Sequence, residues 1–174
     1  MGPFSPQAPA TGWRFDLTLE GSELGAADPV HACEEALAEA GWTRDSIDSV
    51  ALVVAELWHN ALEHGVLGLD SALKERDGGF SDYYVLRERL LRENRTGRVR
   101  IALALETLHG DPVLSIEVED SGSGFDPRAP RAPLPGRRSG RGLAIVRELC
   151  EALEFSARGN VARATCHWDG PLPA

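Results

Sequence analysis

The chain has 174 residues, 43% of them hydrophobic and 26% charged, which suits one domain built on a single core. A net charge of −9 argues against a general binder of nucleic acid or anionic membrane, and no apolar run reaches the ~18 residues of a membrane-spanning helix. Lys74 is the sole lysine, so no P-loop lysine can act where phosphate would bind, and Cys33, Cys150 and Cys166, with no CxxC pair, read as reduced, buried thiols of a cytosolic protein.

The opening MGPFSPQAPATG has no basic region followed by an apolar core, so residues 1–12 read as a leader or linker and not as a secretory signal. WRFDLTLEGS, Trp13 to Ser22, alternates as a first strand. DPVHACEEALAEAGW predicts a helix with Asp28 as N-cap, Pro29 in first position and Gly41 as its stop. SIDSVALVVAELWHNALEHG carries Ile47, Val50, Val54, Leu57, Ala61 and Leu62 at helical spacing and is expected to end at Gly65. Glu56, Asn60 and Glu63 fall near one another on another side of that helix.

Residues 66–97 form a charged excursion. Within it SDYYVLRERLLREN predicts an amphipathic helix with Phe80, Tyr83, Tyr84, Leu90 and Leu91 on its apolar side, either packed on the domain edge or docking a partner. RVRIALALET and VLSIEVED predict a hairpin turning at HGDP. A Pro/Arg/Gly-rich loop follows, then LAIVRELCEALEF as an apolar helix, then FSARGNVARATCHW as a hairpin around Arg158 to Asn160. The order predicts an α/β sandwich with a mixed, largely antiparallel sheet and helices on one face, over residues 13–170.

Three places along this order could carry chemistry. Glu56 and Asn60, one helical turn apart, could hold a cation and orient a hydroxyl, although a solvated helix face uses the same pair. Asp120 ends an apolar strand, where an ionised group needs a partner. Such a carboxylate can accept from an exocyclic amine, and Gly122 and Gly124 leave room for a flat base; an ordinary turn is written in the same letters. SGRGLAIV leads a glycine pair, Gly140 and Gly142, into a helix whose N-terminus suits phosphate. Arg128, Arg131, Arg137, Arg138 and Arg141 precede it, as a polyphosphate clamp or as a solvated loop.

Taken in order, ELWHNALEHG, DSGSGF and GRGL resemble the N box and two glycine boxes of the GHKL ATPase superfamily, which includes gyrase, the heat-shock chaperone and histidine kinase catalytic domains. Within it the chain looks most like the anti-sigma-factor serine/threonine kinases of bacterial partner-switching systems. The excursion from VLGLDSALKERDGGFSDYY is similar to a subgroup found at the C-terminus of response-regulator and phosphatase proteins. The resemblance implies a two-layer α/β sandwich of the GHKL (Bergerat) type, with residues 126–139 as the ATP lid. It implies ATP and Mg²⁺ as cofactors and Glu56 as general base. Asn60 would bind Mg²⁺, Asp120 would take the adenine amine, and Gly122, Gly124 and Phe125 would shape the base pocket. Gly140, Arg141, Gly142 and Leu143 would lie along the phosphates, and Thr165 would place a hydroxyl near adenine. His64 reads equally as a cap or a functional group. The implied partner is an anti-anti-sigma (STAS-domain) protein, with a sigma factor as a further target, a homodimer as an option, and neither nucleic acid nor membrane involved. No upstream helix bears a phosphoacceptor histidine, which disfavours a sensor histidine kinase. The competing expectations are a non-catalytic nucleotide-binding switch that sequesters its partner, and a nucleotide-free structural domain.

Overall fold

The computed structural model describes residues 12–124 and 141–172. In chain order these give β1 (Arg14–Glu20), α1 (Glu23–Ala26), α2 (Pro29–Glu39), α3 (Arg44–His59), a π-helical segment (Asn60–Val66), a 3-10 turn (Ser71–Glu75), α4 (Gly79–Glu93), β2 (Arg98–Leu108), β3 (Asp111–Asp120), α5 (Gly142–Leu149), β4 (Ala152–Phe155) and β5 (Val161–His167). The strands form one sheet of order β1-β2-β3-β5-β4. Each neighbouring pair is antiparallel, so the mixed, largely antiparallel sheet expected from sequence is wholly antiparallel among the described residues. No helix among them is long and apolar enough to cross a membrane.

Register sorts the sheet into two faces. Val99, Ile101, Leu103 and Leu105 on β2 stand beside Leu114, Ile116 and Val118 on β3 and Ala164 and Cys166 on β5, and all pack in one core. Cys33 and Leu37 of α2, Val50, Val54 and Leu57 of α3 and Val146 of α5 fill that core from the helical side. The other face carries ion pairs across the strands. Arg100 bonds Glu117 at 3.1 Å and also Asp16, and Arg163 bonds Glu117 at 2.8 Å.

Local signals explain most of the element ends. The Asp28 side chain accepts from the His31 backbone N–H at 3.0 Å with Pro29 at the helix start, and Gly41 leaves α2 at φ +86°. His109 (φ 53°) and Gly110 (φ 97°) form a two-residue turn of the kind that matches strand twist, so the hairpin is tighter than the four-residue HGDP suggested. The helix predicted over 143–155 is cut short. It ends at Leu149, and residues 152–155 become β4, because β5 offers them a ladder from Ala152↔Thr165 to Phe155↔Ala162.

The predicted helix ending at Gly65 also changes form. It is α-helical to His59 and then widens, with the Leu67 N–H donating to Leu62 O at 2.9 Å, five residues back. The wider turn carries Glu63 away from Glu56 and Asn60 and into the excursion. There the buried carboxylate accepts from Tyr83 Oη at 2.5 Å and Arg87 Nε at 3.0 Å, with Lys74 Nζ at 3.5 Å lying over the Tyr83 ring. Burial alone would raise the Glu63 pKa, but the Tyr83 hydroxyl and the two cations outweigh it and hold the carboxyl below its ordinary range. This cluster fastens the excursion to the domain. Tyr83 and Leu91 are the buried members of the predicted apolar side, Leu90 is half-buried, and Phe80 and Tyr84 face outward.

Because its folded pKa is depressed, Glu63 stabilises the fold above the ordinary carboxyl pKa, and that contribution is lost as pH falls through the lowered value. Glu63→Gln should lower unfolding free energy by about 1.5–3 kcal/mol at neutral pH, the range for hydrogen bonds to a charged group. In urea titrations the gap to wild type should narrow steadily below about pH 4.

Candidate functional site

A cleft of about 160 Å³ opens between the helices and the end of the sheet, far more than the roughly 10–15 Å³ that one water needs. Asn60, His64 and Gly65 of the π-helical segment form one wall. Val118 and Asp120 of β3, Gly124 and Ala162 form another, and Leu143 closes it from the first turn of α5.

Asp120 sits on the core face of β3, in register after Val118 and Ile116, and is 8% exposed. Desolvation raises its pKa above the ordinary carboxyl range; a hydrogen bond from the Gly122 N–H, 2.8 Å from Oδ1, and nearby Arg158 act the other way. Its carboxylate occupies the space that side chains would fill. A Cβ on Gly65 would lie 2.4 Å from the Asp120 carboxyl carbon, and one on Gly122 would lie 2.2 Å from Gly65 O. Gly65 is therefore a contact requirement of Asp120 and not the helix stop predicted for it. Gly124 has φ +76° and its Cα packs on Arg158 O, while Arg158 Nη2 donates to Gly122 O at 3.1 Å. The glycine turn is thus held from both sides. A buried carboxyl at the floor of an apolar-walled cleft, with the Gly122 N–H as its donor among the described residues, is suited to a ligand amine.

Asn60 supports a ligand role independently. Its Nδ2 is buried without a hydrogen-bond partner among the described residues. Asn60 lines the cleft, so both ends of its amide can serve something bound there, the oxygen as a metal ligand and the nitrogen as a donor. No group of three or more His, Cys, Asp or Glu able to hold a metal occurs among the described residues. One amide oxygen suits Mg²⁺, which usually takes only one or two protein ligands and completes its shell with phosphates and water.

Glu56, one turn before Asn60, meets α5. A Cβ on Gly142 would lie 2.1 Å from Glu56 Oε2, so the glycine leaves the Glu56 carboxylate its place against the helix start, and a side chain there would displace it. The predicted residues Glu56, Asn60, Asp120, Gly124, Gly142 and Leu143 are thereby brought to one region, with Gly122 buttressing Asp120. Arg141 stands exposed just before α5, and its side chain makes no cap. Phe125, Gly140, residues 126–139 and the arginines among them lie outside the described residues.

Thr165 does not join the site. Ala164 and Cys166 face the core, so strand alternation turns Thr165 to the opposite face, beside Ser115. Ala162, on the correct phase, takes the place by the cleft. Asn160 belongs to the site although sequence reasoning saw only a turn. Its Nδ2 donates to Asp120 O at 3.1 Å and its own O accepts from the Asp120 N–H at 2.9 Å. His64 proves to be a wall residue, its Nδ1 donating to Leu69 O at 2.6 Å, which leaves Nε2 without the proton in the neutral ring.

Residues 87–166 match the family model described as the histidine kinase-like ATPase domain. The match runs from α4 to β5, so it takes in Asp120, the glycine turn and α5 but not Glu56 or Asn60. It indicates ATP binding with a kinase-like or ATPase activity, and the five-stranded antiparallel sheet with its helices is consistent with the GHKL-type ATPase fold. No curated protein matches the chain.

The raised Asp120 pKa means that ionisation opposes folding. The penalty is absent below the ordinary carboxyl pKa and grows as pH rises through the raised value. Asp120→Asn keeps an acceptor for the Gly122 N–H and removes the charge. It should be more stable than wild type at neutral pH by about 0.5–2 kcal/mol, as expected when a functional group is relieved. In denaturant melts that advantage should vanish near about pH 3, where both side chains are neutral.

Proposed function

We propose that the chain is an anti-sigma-factor-type serine/threonine protein kinase that binds ATP and phosphorylates an anti-anti-sigma (STAS-domain) partner in a bacterial partner-switching system. The observation that carries the nucleotide part is the convergence on one cleft of a buried Asp120, an Asn60 amide nitrogen with no partner among the described residues, and the start of α5. The choice of a serine or threonine acceptor, the STAS partner and the sigma factor as second target rest on the resemblance of NALEHG, DSGSGF and GRGL to those kinases.

In this reading the adenine amine donates to Asp120, whose carboxylate is seated by the close approach of Gly65 and Gly122. Ala162 and Val118 give the ring an apolar surface. The phosphates run toward α5, whose first backbone N–H groups and positive dipole end attract them. Asn60 would hold Mg²⁺, which supplies neutralisation of phosphate charge. Glu56 accepts the proton as the partner's hydroxyl oxygen forms a bond to the γ-phosphorus. The bond from that phosphorus to the bridging oxygen breaks, and ADP leaves with the electron pair. The phosphate added to the partner brings nearly two negative charges against an already acidic protein, which weakens their contact and frees this chain for its other target.

Glu56→Gln tests the assignment. Phosphate transfer from γ-labelled ATP to proteins of a cell extract should fall by about 10²–10⁴-fold, the usual worth of a general base, with nucleotide affinity nearly unchanged. Undiminished labelling would remove Glu56 from the chemistry. Intact ATP binding with no labelling by either protein would point instead to a switch that sequesters its partner without phosphotransfer.

A further inference from the structure

Cys150 and Cys166 sit face to face. Their Sγ atoms are 2.6 Å apart, about half an ångström beyond the 2.03–2.05 Å of a disulfide bond. The pairing follows from the fold. Cys150 is the C-cap of α5, where the chain turns extended, and its N–H donates to Val146 O at 3.0 Å. The next residue, Glu151, donates to Thr165 O at 2.8 Å, and the ladder of β4 on β5 begins with Ala152↔Thr165. Cys166 stands on the core phase of β5, opposite Leu114. One thiol is half-buried and reachable from solvent, and the other lies behind it at 7% exposure. The third thiol, Cys33, is fully buried in the core.

The two sulfurs also differ chemically. A hydrogen bond from the Cys166 thiol favours the Cys150 thiolate and lowers its pKa, although burial opposes this, whereas the same bond and burial raise Cys166. The more accessible sulfur is thus the better nucleophile, and a resolving thiol waits beside it, the arrangement of a redox-responsive pair.

We propose that Cys150 and Cys166 form a reversible modification site that a hydroperoxide closes to a disulfide, pinning α5 to β5. Hydrogen peroxide transfers one oxygen to Cys150 Sγ, giving a sulfenic acid and one water. Cys166 Sγ then attacks that sulfur, forms the S–S bond and expels a second water that carries away the thiol proton. The two thiols lose two electrons and the peroxide is reduced to water. A dithiol reductant reverses the step by exchange. Closure acts on the cleft because α5 is only eight residues long, with Leu143 in the cleft wall and Gly142 against Glu56 at its other end. The proposed ATP reading enters only in naming what that cleft holds.

The full chain is treated with hydrogen peroxide, quenched with an alkylating agent and mapped by mass spectrometry, and exchange of the α5 amides is followed before and after oxidation. We expect a mass lower by two hydrogens, a cross-linked Cys150–Cys166 peptide and one alkylatable thiol, Cys33, in the denatured product. Dithiothreitol should restore all three. Cys33→Ser should behave like wild type in forming the bond, and Cys150→Ser should not form it. The α5 amides should exchange several-fold more slowly in the oxidised protein. Persistence of all three thiols, or accumulation of Cys150 sulfinic acid without the cross-link, would overturn the pair. Unchanged α5 exchange in a cross-linked protein would overturn the pinning. None of these readouts uses nucleotide, so failure of ATP to bind is distinguishable from failure of the thiol pair.

Discussion

A carboxylate placed on the core side of a strand end organises much of this molecule. Asp120 is buried, its pKa is raised by desolvation, and its described hydrogen-bond donor is the Gly122 N–H two residues on. The surroundings are shaped to it. Gly65 and Gly122 give up side chains so that their backbones can approach, and Arg158 and Asn160 clamp the adjoining turn and strand through backbone oxygens. A group kept at a cost to stability, with its neighbours fitted around it, is what a ligand-reading position looks like.

The widened turn after His59 distributes the acidic residues of α3 and the segment that continues it between two tasks. Glu56 and Asn60 stay with the cleft and α5, whereas Glu63 turns outward to Tyr83, Lys74 and Arg87. The excursion is therefore anchored within four residues of Asn60, on the same segment that provides His64 and Gly65 to the cleft wall. On the far side of the cleft, α5 is held at its start by its fit against Glu56 and at its end by the turn into Cys150 and β4. The cleft thus lies between two elements that are each tied to something outside it.

Local chemistry was legible in the sequence and long-range register was not. Asp28, Pro29 and Gly41 announced α2, and the alternating VLSIEVED placed Asp120 at its strand end. The ExxxN, DxGxG and GRGL segments could be ordered into one site because each is local. LCEALEF kept a helical period, and only the ladder offered by β5 made its last four residues a strand. Thr165 failed for the same reason: an error of one residue in phase moves a side chain to the opposite face, and only pairing with β3 fixes that phase. Asn160 looked like any turn residue until β5 was laid against β3 and brought it to Asp120. A uniform α-helix would group Glu63 with Glu56 and Asn60, and no residue type in NALEHGV announces the wider turn.

The central claim is that Asp120 accepts a hydrogen bond from the amine of adenine. Adenine presents a donor at that position and guanine presents a carbonyl acceptor. Calorimetric titration of the protein with Mg-ATP and, separately, Mg-GTP tests this directly. The account predicts binding of ATP at least tenfold tighter than GTP, since an acceptor facing a buried carboxylate leaves both groups unsatisfied. Equal affinities, or no binding of either nucleotide, would contradict it.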